Sequence, residues 1–267
     1  TTIGFSSKYE APAPNYEKPT EKDQFFEKLK LSYVPPYWIN SLEMQDGDAV
    51  ISSILETHTR EFLYYFPENK PSYDLISIVG WKSATEEMKA VSRDIFSSLE
   101  VILDVQFKET NSAGGTNVIS ISQSLQKESS GMSFYPNTTF QIGSDLFMAT
   151  GYSVPKKLSS GLTNFDYEIL LHEIGHAIGL KHPFDPSSKV NSILNGLEDN
   201  TNFTLMSYTN HPSTYDGTFR SLDWMALTKL YGVKDTFNMD NDIYNFSTES
   251  GVFIVDGAGI DTIDESH

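Results

Sequence analysis

Three of the chain's six histidines fall, with Glu173, inside the twelve residues HEIGHAIGLKHP at 172–183. His172 and His176 are four apart, which on an α-helix stacks them on one face, one turn from each other. Two imidazoles placed this way can point at a single ion. Zinc takes nitrogen ligands at about 2.0–2.1 Å in a tetrahedral shell. Glu173 directly follows the first histidine, so it is rotated off the shared axis. It is better placed to take a proton from a water on the metal than to bind the metal head-on. The chemistry these residue types would perform is metal-assisted hydrolysis with Glu173 as general base.

A third histidine cannot reach the same point from within the helix, because the step from His176 to His182 is about 1.7 turns. The chain must leave the helix and turn. Gly179 allows the left-handed conformation that ends helices. Pro183 and Pro186 keep the helix from resuming. His182 can then swing back to the metal from outside. His172, His176 and His182 are the expected zinc ligands. Three protein ligands leave one tetrahedral position for water, which marks catalytic rather than structural zinc.

The elements that must position these residues follow from pattern. FDYEILLHEIGHAIGL at 165–180 reads as the metal helix. SATEEMKAVSRDIFSSLEVIL at 83–103 has a capping-box start, Ser83 with Glu86, and apolar Met88, Val91, Ile95 and Leu99 at helical spacing. SLDWMALTKLYG at 221–232 reads as a further helix, with Ser221 as N-cap and Gly232 as stop. REFLYYFP at 60–67, DVQFKE at 104–109 and TNVISISQS at 116–124 alternate as strands. TTFQIGSD at 138–145 and LFMATG at 146–151 are expected as strands near the cleft. AVISSIL at 49–55 is a short helix or turn, and 238–264 short strands and turns.

Residues 1–47 differ from the rest. They are rich in Pro, Tyr, Lys and Glu, with a helix expected at 21–30 and extended chain at VPPYW, 34–38. They read as an N-terminal extension or pro-segment. DGD at 46–48 is a turn signal. A sharper reading puts Asp46 or Asp48 on the metal, holding the protein latent.

The chain of 267 residues carries a formal net charge of −17 and no cysteine. The charge disfavours nucleic acid and anionic membranes as partners and suits calcium at carboxylates. Without cysteine there is no disulfide and no thiolate ligand. No apolar run approaches 18 residues, so no membrane insertion is expected.

TLMSYTN at 204–210 lies downstream of the histidines. Met206, in a tight turn, would give the metal an apolar floor. Tyr208, from the same turn, is placed to reach the metal or a substrate carbonyl and to steady an oxyanion.

HEIGHAIGLKHP followed by LMSY resembles the metzincin clan of zinc endopeptidases, and within it the serralysins. Pro183 after the third histidine and MSY at 206–208 fit that family, as do LDWMALTKLYG and DNDIYNF at 240–246. DGAGIDTID at 256–264 resembles the start of the family's calcium-binding repeats. The resemblance implies an α+β fold of zincin-like metzincin type: a twisted mixed sheet with long helices over an irregular C-terminal subdomain. It implies Tyr208 as a fifth, movable metal ligand. It divides the chain into the extension 1–47, a catalytic domain at 48–235, and 236–267 leading toward a calcium-repeat region, with calcium as a second cation.

By the same resemblance the chain is a monomeric, secreted or surface, bacterial endopeptidase using type I export and cleaving extended peptides bound along an edge strand within 116–151. Two departures stand out. Only GAGIDTI survives of the glycine-rich repeats, with Asp256 where the first glycine would stand, so the chain is expected to be a catalytic fragment or a minimal member lacking the β-roll. Residues 1–47 match nothing in the family. The second functional reading is a self-processing protease module of a larger secreted or surface repeat protein.

Overall fold

The structure is a computed structural model that describes residues 2–5, 37–57, 60–72, 78–111, 118–150, 165–186, 192–194, 196–209, 217–245 and 251–264. The helix expected at 21–30 lies outside the described residues. In chain order the elements are β1 (Thr2–Phe5), α1 (Tyr37–Asn40), α2 (Gly47–Thr57), β2 (Glu61–Tyr65) and β3 (Lys82–Ser83). Then come α3 (Glu86–Ile102), β4 (Gln106–Glu109), β5 (Val118–Ser124), β6 (Gly131–Ser133) and β7 (Leu146–Ala149). The metal helix follows as α4 (Phe165–Ala177), then α5 (Ser221–Tyr231), β8 (Ile243–Asn245), β9 (Gly251–Ile254) and β10 (Thr262–Asp264).

The main sheet runs β4-β2-β5-β7-β6, with β3 pairing β5 off this path. β4, β2, β5 and β7 are parallel, while β6 and β3 pair antiparallel, so the sheet is mixed as expected. β6 ends the sheet. β5 alternates in sequence but is buried along its whole length, Ser120 and Ser122 included. The alternation suggested one wet face, yet a central strand with parallel neighbours is covered on both.

α3 lays Met88, Val91, Ile95 and Leu99 into the core, and Phe96 stacks on Tyr64 and Phe107. Its cap corrects the expectation. Ser83 belongs to β3, and Thr85, with extended backbone, accepts the Met88 N–H at 3.2 Å. Likewise the N-cap of α5 is Arg220, not Ser221. The Asp223 carboxylate takes the Arg220 N–H at 2.8 Å, which an apolar neighbour could not do. Gly232 does stop α5, with φ 78°.

Two further readings are corrected. Residues 138–145 are turns, not a strand: the Asn137 side chain accepts from Thr139 N–H and Phe140 N–H and folds the chain back. Tyr37 and Trp38 are helical rather than extended, since proline is tolerated just ahead of a first helical turn.

Residues 37–47 are joined to the core. Leu42 and Met44 are buried, Lys181 N–H donates to Leu42 O at 2.7 Å, and Met44 N–H donates to Gly179 O at 2.9 Å. This segment therefore braces the turn by which the chain leaves the metal helix. At the other end β8 and β10 pair in parallel, and β1 pairs β9 antiparallel. Among the described residues no helix is long and apolar enough to cross a membrane.

Candidate active site

α4 carries His172 and His176 on one face and ends at Ala177, three residues earlier than the pattern suggested. Gly179 adopts φ 108°, a left-handed value that a side chain would resist. Leu180 N–H then returns to Gly175 O at 2.9 Å, and His182 comes round to face the helix.

The three expected ligands meet. His182 Nε2 lies 3.2 Å from His172 Nε2 and 3.0 Å from His176 Nε2. Nitrogens around one tetrahedral zinc stand roughly 3.3 Å apart, from bond lengths of about 2.0–2.1 Å. The other ring nitrogens are held from behind. His172 Nδ1 is 2.9 Å from Leu205 O, and His176 Nδ1 is 2.7 Å from Leu180 O. A carbonyl can only accept, so each Nδ1 carries the proton and each Nε2 presents a lone pair. Burial pushes His172 and His182 down to about 4 and His176 well below its ordinary value. Neutral imidazoles with converging lone pairs repel one another unless a cation sits among them, so the donor set fits a metal ion.

Glu173 is 6 % exposed, and its Oε2 has no hydrogen-bond partner. Burial pushes its carboxyl up to about 8. An orphaned buried carboxyl is costly, and one that persists beside three converging imidazoles is a candidate functional group. β6 passes directly over it: a Cβ added to Gly131 would lie 2.6 Å from Glu173 Oε1.

Met206 is fully buried under α4, where a Cβ on Gly175 would meet its Sδ at 2.9 Å. Glycine at 175 is thus what lets the metal helix rest on Met206. Tyr208 is 67 % exposed, its ring 4.5 Å from that of His182 and 5.9 Å from that of His172. Phe184 closes the group, stacked at 5.0 Å and 7° on His182 and 5.1 Å from Tyr208. A cleft of about 320 Å³ opens beside these rings, lined by Ser130, Gly131, Glu168, His172, Glu173 and Tyr208 among others.

Asp46 and Asp48 are elsewhere. Asp46, at φ 56°, turns the chain into α2, and Asp48 pairs with Lys229 of α5 at 2.7 Å. The second carboxyl-rich cluster is Asp242, Asp256 and Asp261, with ligand atoms within 4.8 Å of one another.

Sequence reasoning missed four participants: the Leu205 carbonyl, Asp223 behind it, Gly131, and Phe184. Gly175, inside the motif itself, was a readable signal, and Phe184, next to Pro183, was another.

No family model matches the chain. Curated relatives do. A serralysin from Photorhabdus sp. (strain Az29) is 22 % identical over 73 % of this chain and 43 % of the relative. A serralysin from Proteus mirabilis is 25 % identical over 72 % of this chain and 44 % of the relative. The metallopeptidase AprA of Pseudomonas marginalis is 26 % identical over 71 % and 46 %. The chain thus spans less than half the length of these relatives. Together with the histidine geometry, the likeness to these relatives supports a serralysin-like metzincin.

Proposed function

We propose that the chain is a zinc-dependent endopeptidase that cleaves extended peptide segments. The observation that carries this reading is the convergence of three Nε2 atoms beside the buried, unpartnered Glu173 carboxylate. Zinc held by His172, His176 and His182 would polarise a carbonyl and lower the pKa of water. Glu173 accepts the proton of the attacking water and delivers it to the leaving amine. The Tyr208 hydroxyl donates to the carbonyl oxygen as charge develops there. The peptide lies along β6, which ends the sheet and whose Gly131 lines the cleft with His172 and Glu173.

In this reading the mixed sheet and α4 form the upper part of a metzincin-type domain over 48–235, and the chain after Gly179 the irregular lower part. Calcium is assigned to the Asp242, Asp256 and Asp261 cluster, and export from the cell goes with the serralysin resemblance.

The test is digestion of a diverse peptide mixture by the zinc-loaded protein, read by mass spectrometry. Glu173→Ala should keep its zinc and lose cleavage by at least about a hundredfold. Cleavage retained in that variant would overturn the mechanism.

A further inference from the structure

The cleft beside the metal ligands has a charged floor. Glu168 stands four residues before His172 on the same face of α4, and it lines the cleft. Its carboxylate is buried, its side chain 8 % exposed. Both donors that hold it meet one oxygen: Gly217 N–H at 2.9 Å and Arg220 Nη2 at 3.1 Å, each on Oε1. Oε2 remains as the carboxylate's acceptor.

Arg220 offsets part of this charge, but it engages Oε1 alone. Its Nε donates to Thr201 O at 2.9 Å, its Nη1 to Thr218 O, and its Nη2 to Glu168. The guanidinium is spent on protein oxygens behind the floor, and it is not among the cleft's lining residues. Among the described residues the lining holds three carboxylates, Glu128 at the exposed rim, Glu168 and Glu173, and neither a lysine nor an arginine. Ile169 and Leu205 add apolar surface to the same lining. An aliphatic stem with a cationic tip suits that combination: methylenes against apolar side chains, charge at Glu168.

We propose that Glu168 determines the selectivity of this cleft, favouring a peptide side chain with a positively charged end, lysine or arginine, beside the scissile bond. The proposal rests on the peptidase reading for the identity of the ligand, while the chemistry of the floor stands independently of turnover.

The experiment uses zinc-loaded full chain and a set of matched peptides that differ at one position flanking the cut: Lys, Arg, Gln, Leu or Glu. Lys and Arg peptides should be cleaved fastest and the Glu peptide slowest. Glu168→Gln keeps an acceptor for Gly217 and Arg220 but removes the charge. It should cut the Lys-over-Leu preference about tenfold or more, from loss of a charge-assisted hydrogen bond. The readout is the ratio of Lys to Leu cleavage within each protein, so a general change in rate cancels. An undiminished preference in Glu168→Gln, or a wild-type preference for Leu or Glu, would overturn the proposal. If Glu168→Gln fails to fold, Glu168→Asp retains the charge but withdraws it by one methylene. Its selectivity should then move from lysine toward the longer arginine, and an unchanged ratio would count against Glu168.

Equilibrium binding of the Lys and Leu peptides to wild-type protein and to Glu173→Ala separates the two readings. Preferential Lys binding without cleavage by the wild type would refute the peptidase reading and leave the charged floor standing. Cleavage with equal binding of both peptides would do the reverse.

Discussion

His172 and Asp223 never touch, yet one residue's backbone joins them. Leu205 O accepts from His172 Nδ1 at 2.9 Å, and Leu205 N–H donates to Asp223 Oδ2 at 2.7 Å. Thr204 Oγ1 adds a 2.6 Å bond to Asp223 Oδ1 and itself accepts the Met206 N–H at 3.0 Å. The fully buried carboxylate of α5 therefore pins the 204–206 turn, and that turn both orients the His172 ring, a proposed zinc ligand, and lies beneath it. Outer partners of ligating histidines set ring orientation and basicity.

Asp223→Asn should therefore weaken zinc binding by about tenfold or more, although residue 223 is no ligand. Competition titration against a chromogenic chelator measures it. An unchanged affinity would show that the turn holds without the carboxylate.

The same residue gives a pH signature. Burial pushes the Asp223 carboxyl from 3.8 up to about 6, against the lowering pull of Thr204, Leu205 and Arg220. A raised folded-state value means that the native protein keeps a proton that the unfolded chain has released. The stabilisation is complete below about pH 4 and is lost as pH rises through about 6, a swing of roughly 3 kcal/mol. Asp223→Asn lacks that proton, so its urea stability should not show the decline wild type shows across this window. Parallel stability curves for the two proteins would contradict the assignment.

Gly175→Ala should destabilise the fold by about 1–3 kcal/mol, because the new methyl meets Met206 Sδ at 2.9 Å and Phe219 at 3.2 Å. Met206→Ala makes the room. The double variant should lose less than the sum of the two single losses, the sign of direct contact. Additive denaturation midpoints would place the strain elsewhere.

Phe184 packs against the rings of His182 and Tyr208 without a hydrogen-bonding group of its own. If it acts by holding the phenol, Phe184→Ala should lower kcat several-fold in the wild-type background and have no further effect on kcat in Tyr208→Phe. Equal losses in both backgrounds, measured by steady-state kinetics, would make Phe184 a wall of the cleft rather than a support for Tyr208.

Much of the site was legible because its geometry is local. The four-residue step puts His172 and His176 on one helix face, and Gly179 turns the chain so that His182 returns; each follows from backbone periodicity and sterics within a dozen residues. The long helix α3 was legible for the same reason. The segment 138–145, TTFQIGSD, is rich in β-branched and aromatic residues, yet the Asn137 turn signal just ahead of it governs the backbone.

The sequence by itself pointed to the three converging histidines, the candidate base and the mixed α and β character of the chain, since residue type and short-range spacing suffice for these. Only the tertiary structure decided what stands behind and around them. The Leu205 carbonyl has no side-chain signature, and Asp223 holds the N–H of the same residue across 18 positions. Glu168 and Arg220, 52 positions apart, become a buried pair only when α4 and the start of α5 pack together. Gly131 meets Glu173 only because β6 is the last strand of the sheet. The convergence of the histidines is written in local periodicity. Orientation and burial come from long-range contacts that no window of sequence contains.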